Sequence, residues 1–282
     1  MERHAGLMHN DPARDAVSLL TLPHYSTSEM PVLQDKVVIV TGAARGIGRQ
    51  YVLDIVAAGG RAVAADRASC DETIALLGDL KERALAIQVD VTDRPSVDAM
   101  AKATMAKFGR IDGLVNNAAL YATLKGGRFD QIDEGEWDAA MLVNVKGIWN
   151  CCRAVVGPMR DVGGGSIVNI SSLAALYGMP FALHYTTSKA AVIGMTRGLA
   201  RELGRSGIRV NAIAPSAVDT EGTREFFGEK HESALKTIAA GQAIARNLET
   251  TDVSGAVRWL LSDDSKFVTG QTIAVDGGTV MH

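Results

Sequence analysis

The sequence predicts a doubly wound α/β fold, in which helices cover both faces of a parallel sheet. From residue 35 onward, short runs rich in β-branched residues alternate with longer helical stretches. These runs are almost continuously apolar, as expected of parallel strands that are buried on both faces. No linker rich in proline or glycine interrupts the alternation, so residues 35–282 are predicted to form one domain.

The individual elements follow from length and composition. Apolar runs of five or six residues are predicted strands, at 36–41 (KVVIVT), 61–66 (RAVAAD), 84–89 (ALAIQV), 111–116 (IDGLVN), 166–171 (SIVNIS), 208–213 (IRVNAI) and 271–275 (QTIAV). The longer stretches between them are predicted helices, at 47–58, 96–108, 136–160, 185–203 and 252–261, with another between the second and third strands. Right-handed crossovers would then distribute these helices over both faces of the sheet.

Residues 1–34 differ in character from the rest. They mix His, Pro, Ser and Thr around one short apolar stretch at 17–22. We expect a loosely packed or disordered tail here. Met30, just before the first strand, is a candidate alternative start.

Composition narrows the classes of function. The chain has 282 residues, 47% hydrophobic and 22% charged, with a net charge of −3. A basic surface for nucleic acid is therefore not expected. No apolar run is long enough to cross a membrane, and the first 30 residues do not resemble a secretory signal. Cys70, Cys151 and Cys152 show no zinc-binding spacing, so we expect reduced thiols, no metal site and a cytoplasmic protein.

A glycine-rich turn, Thr41-Gly-Ala-Ala-Arg-Gly-Ile-Gly48, joins the first strand to the first helix. Its glycines are spaced GxxxGxG rather than GxGxxG. Without Cβ atoms, such a turn lets the backbone approach a pyrophosphate, and the helix N-terminus presents free N–H groups to it. The alternative is a glycine-rich turn without a ligand, but its position favours dinucleotide binding by Gly42, Arg45, Gly46, Ile47 and Gly48.

Asp66 ends the second strand, 18 residues after Gly48. A carboxylate there can accept hydrogen bonds from the adenosine ribose and would repel a 2′-phosphate, which favours NAD over NADP. Arg45 or Arg67 would neutralise such a phosphate and weaken this preference. The alternative interpretation of Asp66 is a solvated acid at a strand end.

Two further segments would line the same cleft. Asp90 and Val91 follow the third strand, where the adenine ring is expected. Asn117 and Ala118 follow the fourth strand. Either segment alone is also compatible with ordinary loop capping.

Polar residues near the fifth strand predict proton-transfer chemistry. Tyr185 lies thirteen residues after Ser172, and Lys189 follows four residues later on the same helix face. A free tyrosine has a pKa of about 10. A nearby ammonium and the positive charge of an oxidised nicotinamide would lower this pKa and make the tyrosine a usable general acid/base. Ser172 would donate a hydrogen bond to the substrate oxygen, and Asn144 would hold a water that links Lys189 to solvent. Each residue alone has an ordinary structural alternative; their joint occurrence supports catalysis.

The sequence resembles the short-chain dehydrogenase/reductase family. The motifs TGAARGIG, NNAA, VNVKG, ISS with YTTSK, and NAIAPSAVDT occur in the family's order, over about residues 33–278. The resemblance implies a seven-stranded Rossmann sheet and a catalytic tetrad of Asn144, Ser172, Tyr185 and Lys189. Tyr185 and Lys189 would also contact the cofactor.

The resemblance has further implications for the loop after the sixth strand and for assembly. Pro215, the backbone of Val218 and Thr220 would contact the nicotinamide end of the cofactor. A homotetramer is implied, with helices 136–160 and 185–203 at an interface. Two positions depart from the family pattern, because Ala119 and Ser216 stand where the family usually has glycine.

Residues near this end of the sheet are candidate substrate contacts: Tyr121, Ser172, Leu173, Met179, His184, Phe226 and Phe227. The segment 221–245, which carries both phenylalanines, is predicted to form either a lid or a surface helix packed on the core. His184 is alternatively a helix-start residue.

The predicted function is NAD-dependent interconversion of a secondary alcohol and a ketone, with an uncharged or weakly polar substrate. One alternative is a 3-oxoacyl thioester reductase that uses NADPH and has a basic patch for a carrier protein. The other is a non-catalytic sensor that binds NAD without turnover. The expected partner is a small molecule, with neither nucleic acid nor membrane.

Overall fold

A computed structural model of the chain describes residues 32–281. The predicted tail therefore lies outside the described residues, apart from residues 32–34. The boundary between tail and domain stays a prediction.

Seven parallel strands form a single sheet, which confirms the predicted fold class. They are β1 Val37–Thr41, β2 Arg61–Asp66, β3 Ala84–Gln88, β4 Gly113–Asn116, β5 Gly165–Ile170, β6 Ile208–Pro215 and β7 Thr272–Val275. Their order across the sheet is β3-β2-β1-β4-β5-β6-β7. The order reverses between β1 and β4, and in open α/β sheets ligands bind outside the carboxyl ends of the strands at such a point.

Ten α-helices are described between residues 32 and 281. They are α1 Gly46–Ala57, α2 Asp71–Ala75, α3 Arg94–Phe108, α4 Glu134–Met141, α5 Gly147–Asp161, α6 Ala174–Tyr177, α7 Leu183–Leu203, α8 Glu221–Phe227, α9 His231–Ala240 and α10 Thr250–Leu261. Over these residues, no helix combines the length and apolar character needed to cross a bilayer.

The hydrophobic core consists of two layers, one on each face of the sheet. Val38 and Val40 of β1 face the layer formed with α1 and α10. Ile39 between them faces the opposite layer, formed with α3, α5 and α7. Because both faces of β1 are buried, all five of its residues are buried, which explains its unbroken apolar sequence.

The predicted helix 136–160 is wrong in one respect, because it is not continuous. A π-helical segment at Leu142–Lys146 separates α4 from α5. Wider turns of this kind often occur at functional sites. Here the segment carries Asn144, which is 1% exposed and bonded to the loop after β4. A periodic sequence pattern cannot reveal this change, because the neighbouring residues continue the helical spacing.

Candidate active site

The glycine-rich turn after β1 is packed too closely for side chains. A Cβ at Gly42 would lie 2.8 Å from Ala118 Cα, and a Cβ at Gly48 would lie 2.0 Å from the Gly42 carbonyl oxygen. Gly42 and Gly46 also have positive φ angles of +68° and +58°. The side chain of Arg45 does not cap α1, so the first N–H groups of the helix remain available to a ligand from that side. A pyrophosphate fits this cradle.

Asn117, which we predicted to line the cofactor cleft, holds this turn in place. Its Nδ2 donates to the carbonyl oxygens of Thr41 and Gly42, at 3.0 Å each. The backbone N–H groups of Asn117 and Ala118 both donate to Thr41 Oγ1 at 3.1 Å. The amide of Asn117 is therefore used to fix the turn, while Ala118 contributes to the wall beside Gly42.

Asp66 lies beside the turn, at the end of β2. Its Oδ2 accepts a hydrogen bond from Ala44 N and its Oδ1 accepts one from Ala68 N, both at 3.0 Å. These bonds fix the carboxylate next to the glycine-rich turn, where the prediction requires it. The remaining lone pairs of its oxygens can accept hydrogen bonds from ribose hydroxyls.

The next segment, after β3, is ordered by its own contacts. Asp90 Oδ1 accepts hydrogen bonds from the N–H and the hydroxyl of Thr92, which lower the pKa of the Asp90 carboxyl. Val91 is buried against Gly147, where a Cβ would lie 2.8 Å from Val91 Cγ2. Contact of Asp90 and Val91 with adenine stays a prediction.

The loop after β6 faces the glycine-rich turn from the other side. Pro215 ends β6, and Val218 is buried and bridged to Leu248. Thr220 caps α8 by accepting a hydrogen bond from Thr223 N at 3.3 Å. The side chain of Thr220 is also the nearest atom group, at 3.8 Å, to a Cβ built on Gly46. One ligand between the turn and this loop would contact both.

The predicted tetrad converges at the carboxyl end of β5. Tyr185 and Lys189 lie on α7, and Ser172 is close enough to the Tyr185 hydroxyl to lower its pKa. The Lys189 ammonium lies 5.8 Å from the centroid of the Tyr185 ring. Its Nζ donates to the carbonyl oxygen of Ile170 at 2.8 Å. Proton transfer between Tyr185 and a substrate held at Ser172 is therefore geometrically possible.

Burial dominates the pKa values of this pair in the chain without cofactor. It raises the pKa of Tyr185 to about 12, and the nearby Ser172 opposes this shift. Burial also lowers the pKa of Lys189 to about 8. The expectation that Lys189 and an oxidised nicotinamide together lower the pKa of Tyr185 stays a prediction.

Asn144 connects the loop after β4 to the catalytic helix. Its Oδ1 accepts a hydrogen bond from Leu120 N at 2.7 Å, and its Nδ2 donates to Leu120 O at 3.1 Å and to Ser188 Oγ at 3.0 Å. Ser188 in turn donates to the Tyr185 carbonyl oxygen at 2.7 Å. The expectation that Asn144 holds a water that links Lys189 to solvent stays a prediction.

An aromatic cluster extends from the tyrosine toward α8. The ring centroids of Tyr121 and Tyr185 are 4.9 Å apart, and those of Tyr121 and Phe226 are 4.3 Å apart. Phe227 contacts Phe226 edge-on at 5.2 Å. The segment 221–245 is therefore not a single surface helix, since α8 packs an aromatic side chain against the site. α9 follows after a short 3₁₀ turn.

The other candidate substrate residues separate into two groups. Leu173 is buried beside Ser172, and Met179 packs in the small cluster that contains Tyr185. His184, however, has no exposed surface: its Nδ1 accepts a hydrogen bond from Tyr185 N at 2.9 Å, and its Nε2 lies 4.0 Å from Glu136 Oε2. This geometry corrects the prediction that His184 contacts substrate, and it makes His184 a residue that fixes the start of α7.

One contact near the site has no signal in the sequence. The Arg45 guanidinium of the glycine-rich turn forms two hydrogen bonds with the Glu225 carboxylate of α8. The two residues are 180 positions apart, so no local pattern could pair them.

Known proteins resemble this chain over most of its length. A family model described as Enoyl-(Acyl carrier protein) reductase matches residues 42–280. The 3-oxoacyl-(acyl-carrier-protein) reductase FabG of Thermotoga maritima is 37% identical, over 88% of this chain and 99% of its own length. The hydroxy(phenyl)methylsuccinyl-CoA dehydrogenase subunit BbsD of Thauera aromatica is 38% identical, over 87% and 97%.

A solved structure shows the same architecture. Levodione reductase superposes with a TM-score of 0.82 at 30% identity, covering 87% of this chain and 97% of its own. The sheet order, the glycine-rich turn, the converged tyrosine and lysine and the matched family model agree. The chain therefore belongs to the short-chain dehydrogenase/reductase family, whose members are oxidoreductases that bind a nicotinamide cofactor.

Proposed function

We propose that this chain interconverts a secondary alcohol and a ketone with NAD(H), and that Tyr185 transfers the proton. The observation that carries the proposal is the convergence of three side chains at the carboxyl end of β5. The buried Tyr185 lies close enough to Ser172 for that residue to lower its pKa, and Lys189 lies one helical turn further along α7.

The chain's own residues prepare the reaction. When bound, the nicotinamide accepts or supplies the hydride and, in its oxidised form, adds a positive charge to the site. Ser172 donates a hydrogen bond to the substrate oxygen and orients it toward Tyr185. Tyr185 takes the hydroxyl proton during oxidation and returns it during reduction. The Lys189 ammonium favours the phenolate and provides hydrogen-bond donors for the nicotinamide ribose.

NAD is the proposed cofactor because Asp66 lies beside the glycine-rich turn. Its two backbone hydrogen bonds hold a carboxylate where a 2′-phosphate would have to approach. Repulsion between the Asp66 carboxylate and a 2′-phosphate would disfavour NADP. NADP is the expected cofactor only if the chain is a 3-oxoacyl thioester reductase.

An uncharged substrate is proposed from the character of the cleft and its rim. Tyr121 and Phe226 give the cleft an aromatic wall. The surrounding segments 123–138 and 221–236 carry nine acidic and five basic side chains. This rim offers no basic patch for an anionic carrier protein. A cyclic or aromatic alcohol or ketone suits such a cleft.

A second candidate function is reduction of a 3-oxoacyl thioester. The names of FabG and of the Thauera dehydrogenase both specify thioester substrates, which favours this substrate class. Thioester chemistry would use the same Ser172 and Tyr185, since the reacting group is again a secondary alcohol or ketone.

A matrix of two cofactors and two substrate classes tests these proposals. NADH and NADPH are each combined with a panel of cyclic and aromatic ketones and with a 3-oxoacyl thioester, and absorbance of the reduced nicotinamide is followed. Turnover of simple ketones with NADH supports the first proposal. Turnover of the thioester with NADPH alone would replace it by the second. Cofactor binding without any turnover would favour the sensor.

Assembly and location are proposed separately. On the outer face of α5, Trp149 is 43% exposed, and nothing lies within 4 Å of a Cβ built on Gly194 or Gly198 of α7. Such a surface suits the implied homotetramer, for which light scattering of the full chain is the test. The described cysteines are buried and free, and we propose a reducing, cytoplasmic environment, with no nucleic acid or membrane partner.

A further inference from the structure

Helix α8 contacts both ends of the proposed active site. Its first turn, capped by Thr220, lies over Gly46 of the glycine-rich turn. Its last turn stacks Phe226 on Tyr121, beside the catalytic tyrosine. Between these two contacts, Glu225 reaches back to Arg45. The helix that carries Phe226 is thus paired, through Glu225, with the one cationic side chain of the glycine-rich turn.

The ion pair between Arg45 and Glu225 is bidentate. Arg45 Nη1 donates to Glu225 Oε1, and Arg45 Nη2 donates to Glu225 Oε2 at 2.9 Å. Parallel bonds of this kind fix the planar guanidinium in one orientation. Both side chains are about half exposed, at 50% and 47%, so the pair is accessible to a ligand and to salt.

The charges around Arg45 are mainly negative. The hydrogen bond with Glu225 raises the pKa of Arg45, and the charges of Glu225, Glu221 and Asp66 raise it further, while partial burial opposes them. Asp66 is bonded to Ala44 N, the residue just before Arg45. The guanidinium is therefore within electrostatic reach of Asp66, beside which the adenosine ribose is proposed to bind, and three carboxylates surround its single positive charge.

The other arginines near this end differ in availability. Arg49 is paired with Glu72 and also donates to the Ala44 carbonyl oxygen at 2.6 Å. Arg67, just after Asp66, takes part in none of the ion pairs of residues 32–281. Arg45 is therefore the arginine of the turn itself, and one carboxylate from a distant part of the sequence, that of Glu225, decides whether its guanidinium is free to bind a ligand.

We propose that Glu225 is a cofactor-specificity residue, which disfavours dinucleotides with a 2′-phosphate by holding Arg45 in the bidentate pair. The inference rests on the proposed function, because it requires that a nicotinamide dinucleotide binds at the turn. Glu225 would be a second determinant of cofactor specificity besides Asp66, and it lies on α8, the helix that also contributes Phe226 to the substrate wall. A 2′-phosphate must compete with Glu225 for the guanidinium, whereas a 2′-hydroxyl need not.

Equilibrium binding tests the inference without relying on turnover. The dissociation constants of NADH and NADPH are measured by calorimetry at low ionic strength for the wild type, Glu225→Gln, Arg45→Ala/Glu225→Gln and Glu229→Gln. Glu225→Gln keeps the size of the side chain but releases the guanidinium. We expect the ratio of the NADPH to the NADH dissociation constant to fall about three- to tenfold.

The other variants decide between possible causes. Glu229 lies just after α8 and forms none of the described ion pairs, so Glu229→Gln should leave the ratio within about twofold of the wild type. In the double variant, the gain should disappear because no guanidinium remains. If the gain persists there, loss of the Glu225 charge alone explains it, and the proposed withdrawal of Arg45 is overturned.

Two results separate failure of the inference from failure of the proposed function. If the wild type binds NADH but Glu225→Gln leaves the ratio unchanged, the inference is wrong and the function stands. If the wild type binds neither dinucleotide, the proposed function is wrong and the inference fails with it.

Discussion

Replacing Asn144 by alanine should loosen the active site and destabilise the fold together. The side chain is 1% exposed and forms three hydrogen bonds, two with the backbone of Leu120 and one with Ser188. Alanine removes all three and leaves the partly buried N–H and C=O groups of Leu120 without these partners. The loop after β4 then loses its attachment to α7.

The magnitude follows from the number of lost bonds. A typical intramolecular hydrogen bond contributes about 1 kcal/mol, and buried groups left unsatisfied cost at least as much. Asn144→Ala should therefore lower the free energy of unfolding by about 3 kcal/mol, which corresponds to a fall in Tm of roughly 6–12 °C for a domain of this size. Displacement of the adjoining Tyr121 from Tyr185 should reduce kcat on the order of 10- to 100-fold.

Denaturant unfolding and steady-state kinetics measure the two effects, and Asn150→Ala is the matched control. Asn150 is also a buried asparagine of the same helical region, but its Nδ2 forms one hydrogen bond, to Val91 O at 2.9 Å. The control should lose about one third as much stability and keep most of its kcat. If Asn144→Ala is no less stable than Asn150→Ala, the connecting role of Asn144 is refuted.

Three further predictions concern the cofactor turn and the buried lysine. Gly48→Ala should abolish dinucleotide binding, because its Cβ would lie 2.0 Å from the Gly42 carbonyl oxygen. Calorimetry with NADH measures the binding, and Gly255→Ala on α10, where a Cβ meets open space, is the control. Binding of NADH by Gly48→Ala would refute the prediction. Asp66→Ala should lower the dissociation constant of NADPH relative to that of NADH by about tenfold or more, and an unchanged ratio would contradict the assigned role of Asp66. Since burial lowers the pKa of Lys189 to about 8, the folded chain binds fewer protons than the unfolded chain above that pH, so stability should rise by up to about 1 kcal/mol per pH unit between pH 8 and 9.5 relative to Lys189→Met. Urea unfolding of both proteins at several pH values measures the difference, and parallel curves would contradict it.

The parts of the fold that the sequence predicts are those with a local signal. Continuous apolar runs such as Val37–Thr41 predict buried parallel strands, since the cause lies in the run itself. The glycines of the turn are predicted in the same way, because a close backbone approach excludes any Cβ. The spacing of Tyr185 and Lys189 likewise places both on one face of a helix.

What the sequence does not predict depends on contacts between distant elements. The π segment carries Asn144, whose amide bonds to Leu120 and Ser188. The residues on either side of the segment have ordinary helical spacing, so the sequence does not reveal it. His184 is adjacent to the catalytic tyrosine but is buried toward Glu136, which only the packing of α4 on α7 reveals. The raised pKa of Tyr185 likewise reflects burial, which sequence spacing does not report.

The central claim is that Tyr185 transfers the proton, and Tyr185→Phe tests it most directly. The variant loses only the hydroxyl, so the ring keeps its packing against Tyr121. With a substrate found in the matrix above, turnover should fall by at least about 100-fold while the NADH dissociation constant stays near the wild-type value. Tyr177→Phe, a half-exposed tyrosine on α6, should remain active. Turnover by Tyr185→Phe within a few-fold of the wild type would contradict the account.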